Sequence, residues 1–199
     1  MTQWIENPEG GRGRGPRGLA RAWLEVLVRP HRFFRVGVSP GDQAPGLTFL
    51  MTVVLVAITS QYVFTPESFP SLPVSPLLAG TFWISLVVLL VAPLGLHLLS
   101  ALQTLFLLVI VPNRAGISQT VQVLAYATAP CVVVGVPIPE IRVLACLYGA
   151  VLLIVGLRIV HETSIIRALL AGLVPALLLF GYGFGGMAAL ETLGVAIPW

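Results

Sequence analysis

The run HETS, His161 to Ser164, opens like the zinc-hydrolase pattern HExxH, in which two histidines one helical turn apart hold the metal and the glutamate activates water. The second histidine is absent, so that chemistry fails at its first requirement. His97 is the only other histidine in an apolar stretch, and two histidines without a further ligand make no metal site. Cys131 and Cys146 stand apart with no CxxC spacing, and both read as small packing residues. No GxSxG elbow and no Walker-type loop occurs, and no serine or cysteine nucleophile has a base at workable spacing. The glycine-rich GYGFGG, Gly181 to Gly186, follows no strand and reads as a packing element inside an apolar helix. Neither enzymatic chemistry nor a metal or other cofactor is expected.

The remaining polar chemistry is basic and clustered. Arg29, His31, Arg32 and Arg35 follow one another within seven residues, beside Trp23, Phe33 and Phe34. Guanidinium groups flanked by aromatic rings suit an anionic headgroup layer, and these four are the candidate lipid-headgroup residues. They belong to an amphipathic helix over 18–36 in which Leu19, Trp23, Val26 and Leu27 share a face. Such a helix can lie in the membrane interface or pack on the protein itself, and the periodicity fits both.

What must position these residues is a membrane domain. Of the 199 residues 57% are hydrophobic and 10% charged, with a mean hydropathy of +0.96 and a pI near 9.3. Soluble domains carry about 25% charge. The expected fold is an all-α polytopic bundle of five spans at about 44–64, 77–111, 119–136, 141–160 and 165–190. Residues 77–111 would make about 52 Å of helix against a hydrocarbon core near 30 Å, so one helix kinked at Pro93 is expected there. The RG-rich segment 1–17 cannot bury enough apolar surface to fold and is expected to be a disordered cytoplasmic tail. It has no apolar signal core, so the first span is expected to direct insertion. Residues 191–199 would form a short outer end.

All eleven basic residues are arginine. With the N-terminus inside, the inner segments hold Arg12, Arg14, Arg17, Arg21, Arg29, Arg32, Arg35, Arg114, Arg158 and Arg167, and the outer side holds only Arg142. A multi-pass protein of the cell membrane is expected, with a cytoplasmic N-terminus and an outward C-terminus. Its partners would be the bilayer's anionic headgroups and a membrane protein or second copy, with no nucleic acid. Small residues four apart, as in Ala125/Ala129, Ala145/Gly149, Ala168/Gly172 and Gly181/Gly185, would bring the last three spans close.

Residue order then adds a resemblance. WLEVLVRPHRFFRV before the first span, YATAP in the third, LYGAVLLIVGLRIVHETS across the fourth and IIRALLAGLVP leading the fifth resemble the Yip family, in its short prokaryotic branch. The resemblance covers nearly everything after Trp23 and rests on Pro30, Tyr126, Pro130, Tyr148, Gly156, Arg167 and Pro175 as structural positions. It implies a five-span fold and a membrane-organising or scaffold role without catalytic residues. The eukaryotic members' Rab-interacting region and DLYGP-like motif are missing, so Rab binding transfers to no residue. A small permease built around broken helices at Pro93, Pro130 and Pro175, or an accessory subunit of a transporter complex, is the alternative.

Overall fold

The computed structural model describes residues 3–6 and 12–196. Gln3–Glu6 (β1) pairs antiparallel with Arg12–Arg14 (β2), and helix α1 starts at Gly15. Within 1–17, expected to be a tail, the described residues form this hairpin and the start of α1, and Gly15 at φ 67° turns the chain into the helix. Residues 1, 2, 7–11 and 197–199 lie outside the described residues.

The single amphipathic helix expected over 18–36 is two helices, α1 (Gly15–Val28) and α2 (Pro30–Val36). Arg29 between them leaves helical geometry at φ −135°, ψ 55°, as the ring of Pro30 demands of the residue before it. Neither helix lies free. Ala22 and Val26 of α1 and Phe33 and Phe34 of α2 are buried in the bundle's own core. The Trp23 indole N–H donates to the Ala129 carbonyl at 2.8 Å, and the Tyr148 hydroxyl donates to the Leu27 carbonyl.

Among the described residues four helices are long and apolar enough to cross a membrane: α3 (Ala44–Phe64), the continuous 35-residue run Pro76–Ile110, α7 (Pro139–Val160) and the run Ile165–Gly183. A shorter apolar helix, Ile117–Val133, joins them. It comprises α6 (Ile117–Ala127) and a 3-10 turn over Ala129–Val133 that Pro130 opens. Residues 120–129 are all buried, so this shortest helix is the bundle's axis. Around it, Phe33 and Phe49 set their rings edge-on to Tyr126, with centroids 4.8 and 5.1 Å away. Outward faces carry exposed Leu105, Val109, Leu144, Leu147 and Leu173, an apolar surface suited to lipid.

Two helices widen into π-helix: Val87–Val91, between α4 (Pro76–Leu86) and α5 (Ala92–Ile110), and Leu177–Gly183, after α8 (Ile165–Ala176). Pro93 explains the first, because its ring cannot sit against the carbonyl four residues back in α-geometry. Pro175 leaves the Ala171 carbonyl without its α-helical donor, and buried Gln103 of α5 supplies one from its side-chain amide at 2.9 Å. The last expected span, 165–190, is shortened: the helix ends at Gly183, Gly185 takes φ 73°, and α9 (Gly186–Thr192) sets off anew. GYGFGG is thus a helix break as well as a packing surface.

Small residues give close approaches. A Cβ on Gly172 would stand 2.6 Å from the Ile154 methyl of α7, and one on Gly156 2.8 Å from Val123 and 2.9 Å from the Phe34 ring. At Gly135, after the 3-10 turn, an added Cβ would strike the Ala57 carbonyl and sit 2.7 Å from the Gln61 nitrogen, both backbone of α3.

Candidate lipid-headgroup site

The end of the bundle that carries the connections 111–116 and 161–164 is closed by polar side chains. α7 stops there in a Schellman arrangement, with the Thr163 N–H on the Arg158 carbonyl at 3.0 Å and the Glu162 N–H on Ile159 at 3.4 Å. Glu162 takes the left-handed position, φ 46°, where glycine is usual. Next to it, His161 is 1% exposed. Its Nδ1 accepts the Ala115 backbone N–H at 3.1 Å, which leaves the proton on Nε2, 3.5 Å from the Thr120 hydroxyl. Burial, helped by the charge of Arg114, lowers the His161 pKa to about 4. The neutral ring therefore clamps one connection to the other.

Beside this clamp, α2, the start of α6 and the end of α7 enclose a polar cup of about 510 Å³, lined by His31, Arg35, Gln119, Arg158, Glu162 and Thr163. Its floor is Phe34, Val38 and Ile159. Two guanidinium groups face one carboxylate, so the cup carries net positive charge and up to ten guanidinium N–H donors, an arrangement suited to phosphate oxygens. Buried Gln122 fixes the approach of the α2 segment. Its amide donates to the Ser39 carbonyl at 2.6 Å and accepts the Ser39 N–H at 3.1 Å, which holds the α2–α3 link against α6.

Of the four basic residues expected to meet headgroups, His31 and Arg35 line this cup. Arg32 turns to Glu25 at 3.6 Å, and Arg29 is an exposed helix boundary outside the cup. The sequence marks Arg158 only as an inner charge; its place one turn before the Schellman stop is what brings it to the cup with Arg35. The structural positions are dispersed: Pro30 opens α2, Tyr126 centres the core, Pro130 opens the 3-10 turn, Gly156 admits Phe34, and Tyr148 holds α1. Pro175 lies within α8, while exposed Arg167 gives its backbone N–H to the Ser164 cap at 3.3 Å. Among the described residues no group of three His, Cys, Asp or Glu gathers as a metal site.

Four lipid-length helices, a fifth apolar helix at their axis and a basic cup at one end define a multi-pass helical membrane protein. The family model of the Yip1 domain matches residues 24–187, and the chain belongs to the Yip family. That family is generally one of non-enzymatic membrane proteins. Neither a curated protein nor a solved structure matches the chain.

Proposed function

We propose that this protein is a non-enzymatic scaffold of the cell membrane that holds anionic lipid headgroups at its cytoplasmic face and presents its lipid-facing helices to a membrane-protein partner or a second copy. The observation that carries the reading is the joining of His31 and Arg35 of α2 to Arg158 of α7 in one cup. An arginine count that strongly favours this end as the inner one supports the orientation, since positive residues stay on the cytoplasmic side.

A five-span topology is part of the proposal. The hydrogen bond from Ala115 to His161 puts the connections before α6 and after α7 at one end. α7 is a 22-residue helix between that end and the 134–138 turn. The shorter 117–133 helix then runs between the same two ends, and its 3-10 turn lengthens it by rising about 2.0 Å per residue. Phosphate recognition at the cup would fix the depth and tilt of the bundle in the inner leaflet and order the surface offered to a partner.

The test is lipid retention. The full chain, purified from mixed vesicles of phosphatidylglycerol and phosphatidylcholine, should keep phosphatidylglycerol selectively, and Arg35→Gln with Arg158→Gln should remove the selectivity. Arg29→Gln with Arg32→Gln should leave most of it. Equal loss from both pairs would reduce the cup to general surface charge and overturn the reading. Cross-linking in the native membrane, followed by mass spectrometry, identifies the partner.

A further inference from the structure

A second cavity, of about 360 Å³, lies toward the opposite end of the bundle, between α3, α5, the start of α7 and the end of the Ile165–Gly183 helix. Its wall is mostly apolar, including Leu50, Ile58, Leu96, Leu99 and Leu179. Polar side chains enter at Gln61, Arg142 and Tyr182. Both π-helical segments meet here: Val87 and Val91 of the first line it, as do Leu179, Tyr182 and Gly183 of the second. Pro93 accounts for the first, but the second follows its nearest proline, Pro175, and proline disturbs the turn before itself. π-Segments recur at functional sites, where they re-aim side chains.

Arg142 is the cation of this end. Its Nε and Nη2 both donate to the Val134 carbonyl, at 3.0 and 2.7 Å, so the guanidinium is held by the backbone at the end of the 3-10 turn. The remaining nitrogen, Nη1, lies beside Gly185, where a Cβ would be 3.5 Å away. Among the described residues no carboxylate pairs with it. A fixed guanidinium at an apolar cavity of this volume matches a molecule with a hydrocarbon body and an anionic head. The side chain is already ordered, so little conformational entropy is lost when an oxyanion arrives.

We infer that this cavity holds one acyl chain of an anionic phospholipid from the leaflet at this end, with its phosphate on Arg142. Gly95 permits a direct test, because it lines the cavity and a Cβ placed on it meets nothing within 4 Å. A phenylalanine there starts from open space at the cavity wall and takes up volume the chain would need.

The experiment uses the full chain in phosphatidylcholine nanodiscs with a small fraction of one photoreactive lipid, a mid-chain diazirine on phosphatidylglycerol, phosphatidylcholine or free fatty acid. Cross-links are mapped by peptide mass spectrometry. The phosphatidylglycerol probe should label residues 87–99 and 179–184 above the phosphatidylcholine probe. Arg142→Gln should lower that labelling about tenfold, the worth of one charge-assisted hydrogen bond. Gly95→Phe should remove cavity labelling while leaving lipid-facing Leu105 and Val109 labelled as before, which reports an intact bundle. Equal labelling by the two phospholipid probes, or phosphatidylglycerol labelling indifferent to both substitutions, overturns the inference. Preferential labelling by the fatty acid also overturns it and gives the cavity to a free carboxylate.

Discussion

Glu162 is the one non-glycine residue at positive φ among those described, and its side chain lines the polar cup. Left-handed backbone costs an ordinary residue about 1–2 kcal/mol, of which glycine's greater freedom when unfolded returns part. Glu162→Gly should therefore stabilise the protein by about 0.5–1 kcal/mol, seen as a higher midpoint in thermal unfolding in detergent. On the proposed reading it also removes the one carboxylate among the described residues that line the cup and should raise phosphatidylglycerol retention. A gain in both says that this position holds a charged residue at the expense of stability, and a lower midpoint would mean that the carboxylate supports the fold. Nothing in the sequence marks Glu162 for this, because HETS reads first as half of a metal motif. Its meaning comes from the helix end it terminates.

Among elements, the connections 111–116 and 161–164 depend on one imidazole. Nδ1 of His161 accepts from Ala115 only while unprotonated, and a proton there would set two donors against each other beside Arg114. The folded pKa of about 4 lies below the free value of 6.5, so the open form takes up the proton more readily. Stability from this clamp is complete above pH 6.5 and falls as pH drops toward 4, by about 2 kcal/mol at pH 5 and about 3 kcal/mol at pH 4. Hydrogen exchange of residues 113–120, corrected for intrinsic rates, should quicken between pH 7 and pH 5. In His161→Asn, whose side-chain oxygen accepts the same N–H without titrating, it should not. An identical pH dependence in both proteins would place the sensitivity elsewhere. Elements were read from the sequence unevenly, and for physical reasons. Lengths of apolar runs located α3 and α7 closely, and the Pro30 boundary follows from steric rules, although 18–36 was read across it as one helix. The periodicity of α1 left open whether lipid or protein covers its face, which Trp23 and Tyr148 decide through partners more than a hundred positions away. Nothing in the sequence gives Gln103 its role, since the Ala171 carbonyl that needs it is distant in sequence.

For the whole molecule, the least apolar of the apolar helices lies where water and lipid are both excluded. The 117–133 helix carries Thr120, Gln122 and Thr128, all fully buried, and the four longer helices shield them. Axial burial explains how 117–133 can be shorter than its neighbours: the surrounding helices meet the lipid, so its own length need not match the hydrocarbon thickness. The same geometry fixes which connections share a side. Asn113 and Ser164 belong to the His161 end, while Ser71 and Glu140 belong to the end where α4 and α7 begin. In a background with the buried Cys131 and Cys146 replaced by alanine, a single cysteine at Asn113 or Ser164 should react with a membrane-impermeant maleimide only after the cells are opened. One at Ser71 or Glu140 should react in intact cells. Were Asn113 and Glu140 to label from the same side, the 117–133 helix would be a re-entrant hairpin arm and the topology four-span. The arginine count would then lose its simple meaning, because Arg158 and Arg114 would no longer face one compartment across the clamp that joins them.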